Sequence, residues 1–339
     1  MIGDSDVWAR LDSLAKPRRS LGKLEELAVR LAVIQQTLAP ATRPRRVVLF
    51  AGDHGVVQSG VSAWGSEVTA LMVRTIGHGR ASSTALAAAH ECELRLVDVG
   101  VAAPLDILSQ PDFRNARIGP GTRDLSREPA MTVEEFEAAW DLGVSEARAA
   151  VTAGCQVLLA GEMGIGNTTA AACLVTLLAG LPPDLATGRG AGADDAVLAI
   201  KRNIVATASA KSKALAQTGV REAIASVAGY EIAAMAGFFA EGANHPVVLL
   251  LDGYVATAAA LIAAKLQAGV ASRMIASHLS AEPGHGAALD ALGLQPLLDW
   301  NMRLGEGTGA LVALPLLDSA AALLRDVATL EELGVPRED

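Results

Sequence analysis

The sequence predicts an α/β protein, a parallel sheet with helices on both faces, joined by a smaller helical lobe. Three observations predict it. Short runs rich in strand-forming residues recur along the chain, each closing on a small or polar turn. Their cores are continuously apolar rather than alternating, as a strand covered on both faces requires. Helical patterns separate them, and strand–turn–helix repetition of this kind specifies a parallel sheet.

Taken in order, LEELAVRLAVIQ carries apolar residues at 24, 27, 31 and 34 and reads as a helix. RRVVLFAGDHG (45–55) reads as the first strand, followed by the helix SEVTALMVRTI. CELRLVDVG (92–100) is the second strand, with TVEEFEAAWDLGVSEARAAV as its helix. CQVLLAGEMG (155–164) is the third and runs straight into the helical NTTAAACLVTLLAG. HPVVLLLDG (245–253), the helix YVATAAALIAAKLQAG and RMIASHLSAEPG (273–284) complete the series. The C-terminal GALVALPLLDSAAALLRDVATLEEL is helical and groups with the N-terminal helix. The expected division is therefore a large α/β unit, residues 30–284, and a small helical unit made of 1–29 with 285–339.

Composition narrows the function classes. The chain has 339 residues, 51% hydrophobic but only 3% aromatic, so its core must be built from Ala, Val, Leu and Ile. Lys and Arg total 28 against 37 Asp and Glu, a net charge of −9, which argues against a nucleic-acid surface. The few basic residues are better suited to holding a small anion. Cys92, Cys155 and Cys173 show neither a C-x-x-C nor a His-rich spacing, so buried free thiols are expected, with no metal site. No charged-then-apolar leader opens the chain, and no unbroken run approaches the roughly 18 apolar residues of a membrane span. A soluble, cytoplasmic protein without a membrane partner is expected. The charged run KPRRSLGK (16–23) reads as a solvated approach to a helix, with a structural or ligand role as the alternative.

The conspicuous polar clusters fall at strand C-terminal ends: Asp53-His54, Glu162, Asp252 and Ser277-His278. That edge is where open α/β sheets bind ligands. GEMGIGNTT (161–169) overlays a P-loop at Gly161, Gly166 and Thr168 but carries Asn167 where the lysine belongs. Gly164 and Gly166 let the backbone turn tightly, Asn167 or Thr168 caps the next helix, and the first-turn N–H groups, with Thr169, favour an anion. Lacking the lysine, the loop suits a single phosphate better than a triphosphate with Mg²⁺; a plain strand-to-helix turn is the alternative. A carboxylate beside such a cradle, Glu162, is costly unless it faces a developing cation.

A second Gly-rich segment, TGRGAGADDAVLAIKRNIV (187–205), contains Gly190 and Gly192 and leads into a helix bearing Lys201. Asp194 and Asp195 suit capping of that helix, while Lys201 is placed to supply the phosphate charge missing from the first loop. In MRLGEGTGALVALPLL (302–317), Glu306 sits between glycines before an apolar helix. A partly desolvated carboxylate is more basic, which suits proton abstraction; a capping or solvated Glu fits the local sequence equally well. His54, His278 and His285 are open as general bases, though satisfied structural histidines are commoner. Met163, Met302 and Leu304 read as core or pocket wall.

GDHGVVQSGVSAWGSEVT, GEMGIGNTTAAA, AGYEIAAMAG, LDGYVATAAAL, SHLSAEPGH and MRLGEGTGA, with the opening KPRRSLGKLEELA, together resemble the nicotinate-nucleotide:dimethylbenzimidazole phosphoribosyltransferase family. The resemblance runs in order from about residue 10 to 320. It implies a Rossmann-like parallel domain, a small helical domain from both termini, a homodimer and no cofactor. It also implies transfer of the 5-phosphoribosyl group of nicotinate mononucleotide to a benzimidazole-type base in cobalamin assembly, with inversion at the anomeric carbon. By motif position Glu306 corresponds to the catalytic base, Glu162 to the carboxylate of the phosphate-loop segment, and Lys201 to a lysine close to the nucleotide. Ser62, Trp64, Ala70, Met163 and Leu304 fall in the implied base pocket.

Departures cluster there. The family commonly shows Tyr-Pro where this chain has Trp64-Gly65, Gln where it has Ala70, and a G-G-A-A-I-N-like run near Gly79–Thr84. They leave the reaction class intact and put the acceptor in question. A transferase using another aromatic acceptor, such as a purine or phenol, and a non-catalytic nucleotide-binding module are the other readings; a mere binder needs neither Glu162 nor Glu306.

Overall fold

Seven strands form one parallel sheet in the computed structural model, which describes residues 1–105 and 112–334. They are β1 Arg45–Gly52, β2 Glu93–Gly100, β3 Phe113–Asn115, β4 Val157–Met163, β5 Val248–Leu251, β6 Met274–Ser280 and β7 Pro296–Met302. Their order is β3-β2-β1-β4-β5-β6-β7, a doubly wound, Rossmann-like arrangement. All neighbouring pairs are parallel.

Thirteen α-helices accompany the strands among the described residues. Before β4 come α1 Asp4–Ser13, α2 Lys23–Gln35, α3 Glu67–Gly77, α4 Ser82–Ala89 and α5 Val133–Thr152. Between β4 and β5 lie α6 Asn167–Leu178, α7 Pro183–Ala186, α8 Asp195–Leu215, α9 Val220–Ala225 and α10 Tyr230–Gly242. The last three are α11 Tyr254–Leu266, α12 His285–Ala291 and α13 Thr308–Asp326.

Successive strand side chains point to opposite faces, and both faces are apolar. Val48, Phe50, Leu158, Ala160, Leu249 and Leu251 pack with α5, α6, α10 and α11. Val47, Leu49, Val157, Leu159, Val248 and Leu250 pack with α1, α2, α3, α4 and α13. This two-sided burial is why the strands read as unbroken apolar runs.

The five strands expected from the sequence are β1, β2, β4, β5 and β6; β3 and β7 are additional. Both are edge strands. β3 is three residues long, too short to show a pattern, and β7 leaves Asp299, Trp300 and Asn301 exposed, so it lacks the continuous apolar signal. β7 carries the sheet into residues 296–302, within the segment grouped above with the helical unit.

Two sequence expectations are corrected. α13 is long and apolar enough to cross a membrane, with a mean hydropathy of 1.4, because Pro315 and Asp318 interrupt the run without making it polar. Its Ala310, Leu311, Leu314, Leu317 and Leu324 lie in the core, and it packs on α2, so it behaves as a core helix. The run at 16–23 is more than solvated: Lys16 pairs with Glu25 at 2.9 Å, Arg18 and Arg19 pair with Asp12, and Arg19 stacks on Trp8 at 3.5 Å. These contacts tie α1 to α2. The cysteines are buried and free, and burial pushes the Cys92 and Cys173 thiols up to about 12.

Candidate active site

Strand order reverses direction at β1 and β4, and the C-terminal ends of β4, β5 and β6 open into a cavity of about 280 Å³. Pockets at such a switch point are the usual ligand sites of doubly wound sheets.

Carboxylates form one wall. Glu162 ends β4 and is 7% exposed; Glu306 precedes α13 and is 4% exposed. Glu306 adopts φ +57° between Gly305 at +85° and Gly307 at +71°. A left-handed non-glycine residue costs on the order of 1–3 kcal/mol, a strain typical of functional positions. Two contacts hold it there. Asp252, after β5, accepts the N–H groups of Gly307, Gly309 and Ala310 at 3.1, 2.8 and 3.2 Å, and Ser83 on α4 donates its hydroxyl to Glu306 Oε2 at 3.1 Å. A side chain at Gly161 would collide with the Gly307 backbone, so the small residue in β4 lets the Glu306 segment lie against the strand.

The electrostatics follow from this crowding. Burial first, then the charges of Asp252, Glu231 and Glu306, push Glu162 well above the usual carboxylate range, against the lowering effect of the Asn167 amide. The neutral form of Glu162 is thereby favoured, and positive charge entering the cavity would favour the ionised form. Burial also raises Glu306; its Ser83 hydrogen bond opposes the rise and Asp252 adds to it. A carboxylate so raised is more basic than a free one, which suits proton abstraction.

The opposite end is basic and lined by backbone. Gly164, Gly166, Asn167 and Thr168 line the cavity at the start of α6. The helix cap is Gly166, at φ +95°, rather than Asn167 or Thr168: the Asn167 amide is drawn away to the Glu162 carboxylate. Lys201, 1% exposed on α8, donates to Thr168 Oγ1 at 2.7 Å and to the Gly188 carbonyl at 3.0 Å, so it joins both Gly-rich segments. Burial pulls its ammonium down to about 8, against the raising effect of Glu282. Asp194 caps α8 by accepting the Val197 N–H at 2.9 Å. Arg189, Arg303 and Glu282 also line the cavity, and Glu282 accepts the Gly190 N–H at 2.9 Å.

The mouth between these ends is apolar. Ser62, Trp64, Met163 and Leu304 line it together with Val68 and Met72. Three residues singled out from the sequence lie elsewhere. Ala70 is 2% exposed within the core layer, because α3 turns Val68 and Met72 toward the cavity instead. Thr169 is fully buried behind the loop, and Gly192 lies past the lining residues.

Of the histidines, His278 lines the cavity. His54 is buried and bonded to Glu231 at 2.6 Å; burial pulls its imidazole down, but the Glu231 and Asp53 carboxylates outweigh this and leave it raised. His285 is pushed down to about 3 by burial and by His278, so it is neutral; its Nδ1 accepts the Ser280 N–H at 2.7 Å. Neither reaches the cavity. Among the described residues no three His, Cys, Asp or Glu side chains group as metal ligands.

Buried carboxylates, a Lys201-held glycine loop suited to an anion and an apolar mouth fit a group transferase, and residues 4–335 match the family described as Phosphoribosyltransferase. Relatives narrow the class. The nicotinate-nucleotide–dimethylbenzimidazole phosphoribosyltransferase of Chromobacterium violaceum is 47% identical, over 96% of this chain and 94% of that protein. The protein of the same name from Thermus thermophilus is 46% identical, over 98% and 99%. The crystal structure of CobT from Thermus thermophilus superposes with a TM-score of 0.92 at 45% identity, covering 99% of both chains. The chain belongs to the nicotinate-nucleotide–dimethylbenzimidazole phosphoribosyltransferase family.

Proposed function

We propose that this chain transfers the 5-phosphoribosyl group of nicotinate mononucleotide to 5,6-dimethylbenzimidazole, giving α-ribazole 5′-phosphate and nicotinate, a step in cobalamin nucleotide-loop assembly. One observation carries the reading: Glu306, held in a strained backbone and raised by burial, shares a cavity with Glu162 and with the Lys201 cradle.

Lys201, and Thr168 at the start of α6, hold the 5′-phosphate, with Gly190 beside them. A lysine on the loop itself is unnecessary for a single phosphate. The pyridinium enters as a cation and favours the ionised form of Glu162, whose proton is released to solvent on binding; the carboxylate then stabilises the oxocarbenium character of the ribose as the C1′–N bond breaks. The bonding pair leaves with the ring nitrogen, so nicotinate departs without its positive charge. One benzimidazole nitrogen forms the new bond to C1′ from the opposite face, and the proton on its other nitrogen passes to Glu306. Release of nicotinate from nicotinate mononucleotide, dependent on added base and followed by chromatography, tests the reading; no release overturns it.

The exposed Trp64 in an otherwise apolar mouth favours a second, broader reading in which other aromatic bases also serve as acceptors. We further propose a cytoplasmic homodimer, supported by the exposed Trp300 and Leu304 beside edge strand β7. A division into residues 30–284 and a smaller unit of 1–29 with 285–339 is supported by packing of α1 and α2 on α13, with β7 as the part of the smaller unit that joins the sheet.

A further inference from the structure

The glycine loop 188–192 is tied at both ends of the cavity. On the phosphate side, Lys201 holds the Gly188 carbonyl and Glu282 holds the Gly190 N–H. On the acceptor side, the Trp64 indole N–H donates to the Ala191 carbonyl at 3.1 Å. Ala191 stands between Gly190 at φ +53° and Gly192 at +101°, and a side chain at Gly192 would meet open space. Gly188 and Gly190 are buried, whereas Ala191 and Gly192 are exposed, so the Trp64 tie acts on the outer, less packed half of the loop. Trp64 is itself 54% exposed, and its ring lines the mouth with Met72 and Leu304.

We propose that Trp64 couples the two substrates: a flat base lying against its ring fixes the indole N–H on Ala191, which settles the glycine loop around the phosphate, and the phosphate does the reverse. Each ligand then meets a loop already ordered by the other, so their affinities rise together. Coupling of this kind is reciprocal, the same factor applying to both ligands. The proposal rests on the donor and acceptor reading above and goes beyond it by assigning Trp64 a positioning role toward the nucleotide.

Calorimetric titration of 5,6-dimethylbenzimidazole, with and without saturating ribose 5-phosphate, measures the coupling without turnover, because the probe has no leaving base. The expected result is base binding tighter by about fivefold or more with the sugar phosphate present. Ribose 5-phosphate binding should tighten by the same factor when the base is present. In Trp64→Phe, which keeps a ring but removes the donor, the factor should fall below about twofold. The site is more than half exposed, so the variant should fold, and a thermal melt checks this. A wild-type factor near one, an unchanged factor in the variant, or a base that binds under neither condition overturns the proposal. Should Trp64→Phe misfold, Trp64→Leu, which also lacks the donor, supplies the comparison. Base-dependent nicotinate release without coupling would sink the Trp64 role alone, whereas absent release would sink the transferase reading.

Discussion

At the phosphate end of the cavity, Lys201 is 1% exposed and its ammonium is fixed by hydrogen bonds to the Thr168 hydroxyl and the Gly188 carbonyl; at the acceptor end, Trp64 and Leu304 are 54% and 56% exposed, with Ser62, Val68, Met72 and Met163 beside them. The first arrangement reads charge, because a buried ammonium without an anion beside it is left uncompensated. The second reads flatness and size, which many heterocycles share. An unmatched buried polar group costs about 1–3 kcal/mol, and an apolar mouth has few such groups with which to reject a near relative. Donor and acceptor should therefore be selected with very different stringency.

The largest expected effect lies between the two ends. Glu306→Gln keeps the shape and removes the basicity, so turnover should fall by roughly 10²–10⁴ while mononucleotide binding barely changes. Near-wild-type turnover would remove Glu306 from proton transfer and leave the two ends without a shared reaction centre.

Next comes the phosphate end. Lys201→Ala should weaken mononucleotide binding by about 1.5–3 kcal/mol, the range for a charge-assisted hydrogen bond. Because burial places the free ammonium at about 8, wild-type binding should weaken as pH rises through that value, and the variant should lose this dependence. A variant with the same pH profile as wild type would show that another group titrates.

A smaller effect is expected from Ser83→Ala. The Ser83 hydroxyl stabilises the ionised form of Glu306, so its loss should move the acidic limb of the kcat/KM profile to higher pH by less than about one unit, the equivalent of about 1 kcal/mol. The high-pH plateau should survive. A uniform loss at every pH would mean that Ser83 shapes the segment without setting its basicity.

Much of this was legible in the sequence because it is local. β4, its turn and α6 are contiguous, so GEMGIGNTT announces a loop, and glycines around Glu306 announce an unusual backbone. Five strands were legible because two covered faces leave them wholly apolar. What was not legible depends on distance along the chain or on rotation about a helix. Asp252 stood out by its place after a strand, but nothing local told that it holds Gly307, Gly309 and Ala310, and Ser83, which reaches Glu306 from 223 residues away, carries no local pattern. Arg303 and Glu282 reach the cavity in the same unannounced way. Ala70 was placed in the pocket by its neighbourhood in sequence, but two residues along a helix is a turn of about 200°, so when Val68 faces the cavity Ala70 faces the core.

The contrast between the ends is tested most directly by two rate ratios measured on the wild-type protein. Nicotinate mononucleotide and nicotinate riboside are compared as donors to 5,6-dimethylbenzimidazole, and 5,6-dimethylbenzimidazole competes with unsubstituted benzimidazole for the mononucleotide. The expected donor ratio exceeds about a hundredfold, or about 2.7 kcal/mol, while the ratio of the two nucleotide products stays within about tenfold, or about 1.4 kcal/mol. Equal use of riboside and mononucleotide, or a dimethylbenzimidazole preference above about a hundredfold, would contradict the assignment of stringency to the Lys201 end and tolerance to the Trp64 end.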